Sequence, residues 1–379
     1  MIDLASVIRP GDGIIWGQAC AEPQTLVEAL VSQRGRLGGV GAFLGSSYSG
    51  IITPEHSDHL RLSSYCGTGR NRALADAGVL DILPVPYSQL DPLIRQRKIP
   101  CDVVLIQVSP ANARGEHSLG LGVEYLGAAL DVARAVVAEV NDQIPWTHTA
   151  PLLHASDFKL TVRTSRLPVY LSSSAPNEIE TRIAQHAATF ISDGATLETG
   201  IGVLPNAVLS ALRDRKGLRM HTGAIPDGAI GLDLRSCAGG ALMGTQRLFD
   251  WARENPAVRL HSSDYTHGGA TLSRLERFVA VNSAVEADYT GQVNGEAANG
   301  SYVGAVGGAL DFIRAANQSP GGVSIIVLPS ARIIERLTGP VSVPRGEAGI
   351  FVTELGAADL RGCGLRERER RMRAISGNS

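Results

Sequence analysis

The chain has 379 residues, 44% hydrophobic and 19% charged, which is the composition of a soluble globular protein with a large core and room for two or three domains. A formal net charge of −2, with no basic stripe, excludes an electrostatic case for binding nucleic acid. Five scattered cysteines (Cys20, Cys66, Cys101, Cys237 and Cys363) form no Cys-x-x-Cys pair, so neither a disulfide framework nor a zinc site is indicated.

The N-terminus lacks a signal-type apolar core, and no run approaches membrane-spanning length, so a cytoplasmic protein with no membrane contact is expected. Asp12-Gly13-Ile14-Ile15-Trp16-Gly17 leads through Ala21-Glu22-Pro23 into a helical pattern at Leu26, Val27, Ala29 and Leu30. Glu22, just before Pro23, suits the N-terminus of that helix. An apolar strand follows at 40–44. Glu55-His56-Ser57-Asp58-His59 is the one cluster that looks like metal ligands, but it lacks a recognisable spacing and no metal is expected. Cys66-Gly67-Thr68-Gly69-Arg70-Asn71-Arg72 carries a G-x-G with two arginines, which fits either phosphate contact or an ordinary strand-to-helix turn.

The continuous apolar run 103–108 reads as a buried parallel strand, followed by a turn at 109–115 and a helical pattern over 123–138. The stretch 160–178, with Pro168 and Ser172-Ser173-Ser174, is expected to link a domain over 1–175 to a second over 176–379. A helix over 177–190 then leads to the central stretch Thr196-Leu197-Glu198-Thr199-Gly200-Ile201-Gly202-Val203-Leu204-Pro205, which reads as strand, glycine turn and helix. Glycines there allow close backbone approach, and a helix start presents free N–H groups to an anion. Helices near 245–253 and 308–316 and strands near 278–281, 323–328 and 349–353 continue the alternation, which predicts open, largely parallel α/β sheets. The charge run 366–373 reads as a solvated helix, and 376–379 as disordered.

The opening repeats the central stretch. Pro23 answers Pro205, Ala29-Leu30 answers Ala211-Leu212 at the same spacing, and Asp12-Gly13 answers Asp193-Gly194 one residue off. Two halves built on one plan are expected, with a ligand at the carboxyl ends of the strands where they meet.

Five blocks in order resemble the acetyl-CoA hydrolase and CoA-transferase family, which includes 4-hydroxybutyrate, butyrate and succinate CoA-transferases. They are Asp102-Val103-Val104-Leu105-Ile106-Gln107-Val108-Ser109-Pro110, Gly200-Ile201-Gly202 with Pro205-Asn206-Ala207-Val208, Asn282-Ser283-Ala284-Val285-Glu286-Ala287-Asp288-Tyr289-Thr290-Gly291-Gln292-Val293-Asn294, Gly307-Gly308-Ala309-Leu310-Asp311-Phe312, and Val352-Thr353-Glu354 with Leu360-Arg361-Gly362. The resemblance implies two similar CoA-transferase-type α/β domains from an internal duplication. It implies a CoA thioester as substrate, a small carboxylic acid as the partner in any transfer, and neither metal nor nicotinamide. It also implies that Gly200, Ile201, Gly202, Val203 and Leu204, with Gly307 and Gly308, contact CoA. A homodimer is expected of so large a two-domain fold.

In that family a glutamate follows His-Thr or His-Ser and attacks the thioester to form an acyl-glutamyl anhydride. The matching block here reads His221-Thr222-Gly223-Ala224-Ile225-Pro226-Asp227-Gly228, so the resemblance implies glycine at the nucleophile's place. Glu198 stands where the family usually has glutamine, and so becomes a candidate base or nucleophile. Glu286, two residues from Asp288, is a candidate relocated carboxylate. Three readings stay open: an acyl-CoA hydrolase, a CoA-transferase using a relocated glutamate, and a non-catalytic acyl-CoA-binding subunit or sensor.

Overall fold

The computed structural model of the chain describes residues 2–377. Seven strands of the first half form one sheet: β1 (Gly13–Trp16), β2 (Val40–Leu44), β3 (Leu60–Ser64), β4 (Leu80–Ile82), β5 (Val103–Val108), β6 (Ala135–Asn141) and β7 (Leu160–Thr164). Their spatial order is β7-β6-β5-β1-β2-β3-β4, and every neighbouring pair is parallel. Strands of this kind are buried on both faces, which is why β5 is apolar at five of its six positions and buried at all of them.

The second half supplies β8 (Thr196–Thr199), β9 (Leu218–Ile225), β10 (Leu234–Leu242), β11 (Val258–Leu260), β12 (Phe278–Ser283), β13 (Val323–Val327) and β14 (Ile350–Thr353). Their order is β14-β13-β12-β8-β9-β10-β11, again all parallel. The two sheets therefore share one topology strand for strand, as the repeat of sequence implies. An antiparallel strand β15 (Gly356–Asp359) extends one edge. The short strand His148–Thr149, from the first half of the chain, pairs on β11 at the other.

The largest apolar cluster runs between the halves, joining Val104 and Ile106 of β5 to Leu197, Met220 and Leu242 of the second sheet. Hydrogen bonds also cross the seam: Gly67 N to Gly304 O at 2.8 Å, Tyr87 N to Gly307 O at 3.0 Å, and Ser88 Oγ to Asp311 Oδ1 at 2.8 Å. Among the described residues no helix is long and apolar enough to cross a membrane.

Four local expectations are corrected. The helix over 123–138 is only Leu126–Val132, because the β-branched run that follows enters the sheet as β6. The stretch expected to link the halves begins with an edge strand, β7, whose Leu160, Thr161, Val162, Arg163 and Thr164 alternate between half-buried and exposed. Glu22 does not serve the first helix, Gln24–Gln33. The carboxylate of Glu139 on β6 does so, accepting from Thr25 N at 3.0 Å and Leu26 N at 3.3 Å. Ser376, in the stretch read as disordered, is buried with its hydroxyl on Arg373 O, while residues 378 and 379 of that stretch lie outside the described residues.

Candidate active site

A cavity of about 200 Å³ opens where the carboxyl ends of both sheets meet, with β8, β9 and the 305–309 turn on one side and Gln18, Ser46, Tyr65, Cys66 and Tyr87 on the other. Glu198 lies in its wall. The register Leu197↔Met220 on β9 and Glu198↔Ala280 on β12 puts Glu198, His221, Gly223 and Asn282 on one face of the sheet, since side chains alternate along a strand. Asn282 Nδ2 donates to Glu198 Oε2 at 2.8 Å and is the carboxyl group's one hydrogen-bond partner among the described residues. Glu198 is 2% exposed. Burial pushes its pKa up to about 8, against the smaller downward pull of Asn282.

Gly223 sits on β9 beside this carboxyl group. A side chain there would start 3.2 Å from both Cε1 and Nε2 of His267 and 3.8 Å from Phe312. The imidazole lies between the rings of Tyr87, at 4.6 Å, and Phe312, at 4.5 Å. Its Nδ1 is 2.9 Å from Thr266 Oγ1. Burial drives its pKa down to about 3, and His221 adds to the effect.

A second buried carboxyl group faces the same cavity from the first half. Glu124 adopts a φ of 48°, uncommon for a side-chain-bearing residue, and accepts from Gln18 Nε2 at 2.7 Å and Tyr87 Oη at 3.1 Å. Gln18 in turn accepts from Ser46 N and from Tyr65 Oη through its own carbonyl. Burial raises Glu124 to about 7 despite those two donors. Gly240 makes room for it, since a Cβ there would lie 3.0 Å from Glu124 Cγ and 2.7 Å from Gly223 O.

Of the glycine-turn residues, Gly200 and Ile201 line the cavity. Gly202, at φ 118°, and Val203 and Leu204 stand behind them at the start of the helix Val203–Ser210. Gly307 and Gly308 line the cavity as well. Glu286 does not line the cavity. It lies on a three-residue strand of a separate small sheet, where Asn294 Nδ2, Thr338 N and Gly339 N donate to its Oε1. Burial raises its pKa, but these bonds together outweigh that and hold the carboxyl below its usual value. Glu22 is buried outside the cavity lining, with Ser49 Oγ on one oxygen.

Glu124 and His267 went unread in the sequence. The signals were thin: a glutamate closing the glycine-rich run 120–124, and a histidine before Gly268-Gly269. Neither stands near its cavity partners along the chain.

Residues 2–159 match the model of the acetyl-CoA hydrolase/transferase N-terminal domain, and residues 244–378 that of the acetyl-CoA hydrolase/transferase C-terminal domain. The chain is 32% identical over 389 residues to a 4-hydroxybutyrate coenzyme A transferase of Clostridium kluyveri, covering 96% of this chain and 91% of that one. Among solved structures it superposes on RipA from Yersinia pestis with a TM-score of 0.92 at 28% identity, covering 99% of this chain and 92% of that one. A 4-hydroxybutyrate CoA-transferase from Porphyromonas gingivalis gives a TM-score of 0.83 at 29% identity, covering 98% of this chain and 92% of that one.

Proposed function

The chain belongs to the acetyl-CoA hydrolase/CoA-transferase family, and on that premise we propose that it cleaves acyl-CoA thioesters by hydrolysis, with Glu198 as the acid–base group at the thioester. The observation that carries this reading is the buried Glu198 carboxyl on the sheet face it shares with Gly223. Glycine offers no atom with which to form an anhydride, so an exchange that depends on a nucleophile at that position has no route. Hydrolysis needs instead a group that exchanges a proton near neutral pH, and a carboxyl group lifted to about 8 does so. The glycine turns around Gly200 and Gly307 are the proposed CoA contacts, and the substrate is the thioester itself. Glu286 is given no catalytic part, because its carboxylate is engaged with Asn294, Thr338 and Gly339.

The test is free-thiol release from acetyl-, propionyl- and butyryl-CoA, with and without an added carboxylic acid. Release without acid is expected, and Glu198→Gln should lower kcat/KM by about 100-fold while calorimetry still detects CoA binding. Unchanged turnover in Glu198→Gln would remove Glu198 from the reaction. Release only when acid is present would mean a transferase, and CoA binding with no release under either condition would mean a sensor.

A further inference from the structure

Beyond Glu198, the cavity holds a ring that the reading above does not use. We propose that His267 is the catalytic base of the hydrolysis, its Nε2 taking a proton from the attacking water while the Glu198 carboxyl group donates to the thioester oxygen. This deepens the hydrolytic reading and rests on it.

Geometry carries the assignment. Nε2 of His267 lies 2.5 Å from where a Cβ on Gly308 would stand and 3.2 Å from where one on Gly223 would stand. Two cavity-lining glycines thus make room for the ring edge that carries that nitrogen, and a side chain at either would crowd it. The hydroxyl of Thr266 donates to Ser262 O at 3.3 Å, so its lone pair is what remains for His267 Nδ1, 2.9 Å away. The tautomer that the proposal requires has Nδ1–H donating to the Thr266 hydroxyl, which passes its own proton on to Ser262 O, and leaves Nε2 as the acceptor. Nε2 has no hydrogen-bond partner among the described residues, although the side chain is only 5% exposed. A ring nitrogen at the cavity wall with no protein partner is open to a proton from a water or a substrate. Tyr87 and Phe312 fix the ring from both sides, so its direction is set before substrate arrives.

Charge agrees with geometry. The titratable groups around the ring are His221, Tyr87, and Glu124 through Tyr87; burial and His221 both disfavour the charged ring, and the Glu124 carboxyl group touches Tyr87 and not the imidazole. The imidazole is therefore neutral and the Glu198 carboxyl protonated over the same pH range, and two groups with separated pKa values divide into base and acid. The oxyanion that develops in the reaction raises the basicity of the ring when the proton must move.

The step balances as follows. The water oxygen bonds to the thioester carbon as one of its protons passes to Nε2, and the carbonyl oxygen becomes an oxyanion held by the Glu198 O–H. The oxyanion collapses, the C–S bond breaks with its electron pair going to sulfur, and the proton on Nε2 passes to the CoA thiolate. The products are a carboxylic acid and CoA thiol, and both residues return to their starting forms.

His267→Phe, which keeps an aromatic ring between Tyr87 and Phe312, and His267→Gln, which keeps a polar group without a base, are each expected to lose about 100-fold in kcat/KM with CoA affinity retained by calorimetry. Wild-type kcat/KM is expected to fall as pH rises through about 8, as Glu198 loses its proton. A rate that rises through that pH would make the Glu198 carboxylate the base and overturn the proposal, as would full activity in His267→Gln. Either result leaves hydrolysis standing. Absence of acid-independent thiol release in the wild type sinks the hydrolytic reading and this proposal with it.

Discussion

At the scale of single residues, the cavity is costly to keep, because its carboxyl groups are held out of water. Glu124 binds its proton more tightly folded, at about 7, than in an open chain, near the ordinary 4.5. Its folded pKa is raised, so its contribution to stability is full below about 4.5 and is lost as pH rises through about 7. Glu198 follows the same sign up to about 8. Glu124→Gln keeps an acceptor for Gln18 and Tyr87 but removes the titration. Calorimetric melts of the wild type and Glu124→Gln between pH 5 and 8.5 should therefore show the variant gaining relative stability at the alkaline end, by up to about 3 kcal/mol. A constant difference across that range would mean that Glu124 is ionised in the folded protein. Glu198 was legible because it abuts a glycine turn on the same strand. Glu124 and His267 were not, because burial and partners came from elements far along the chain, and those set their chemistry.

At the scale of elements, the turn from β8 into the helix Val203–Ser210 depends on backbone that few residues adopt. Gly202 has φ 118° and ψ −173°, in a region open essentially to glycine alone. Nothing lies within 4 Å of the position a Cβ would take, so the strain is conformational and not steric crowding. Gly202→Ala is expected to cost about 1–3 kcal/mol in urea unfolding and to weaken CoA binding as the turn shifts. Loss of stability with unchanged CoA affinity would separate this turn from the ligand. The sequence announced this unit through its glycines and Pro205. It misled over 123–138, where apolar residues fit a helix until β-branched Val136 and Val137 go to the sheet. It misled again over 160–164, where an alternating edge strand carries too little apolar signal to stand out from a linker.

At the scale of the whole molecule, two copies of one topology close on each other along a seam of backbone contacts. Gly67 is its tightest point, since a Cβ there would lie 2.1 Å from Tyr302 O and 2.8 Å from the Tyr302 carbonyl carbon. Backbone cannot yield as a side chain tip can, so Gly67→Ala should part the 66–70 loop from the 302–304 turn. The expected result is a loss of about 1–3 kcal/mol and faster proteolysis at this seam, with the secondary structure by circular dichroism unchanged. Wild-type resistance to proteolysis in the variant would show that the seam tolerates the added carbon.

The strand His148–Thr149 belongs by position to the first half but by pairing to the second sheet, at the edge of β11. On the ribosome it emerges long before its partner Val258–Leu260 has been made. The first sheet can assemble while synthesis continues, yet the strand His148–Thr149 must wait for a partner strand that comes later, although Leu153–His154 just beyond it already pairs with Glu116–His117. Completion of the early half is thus timed by the late one, so the cavity between them cannot be finished until nearly the whole chain is out.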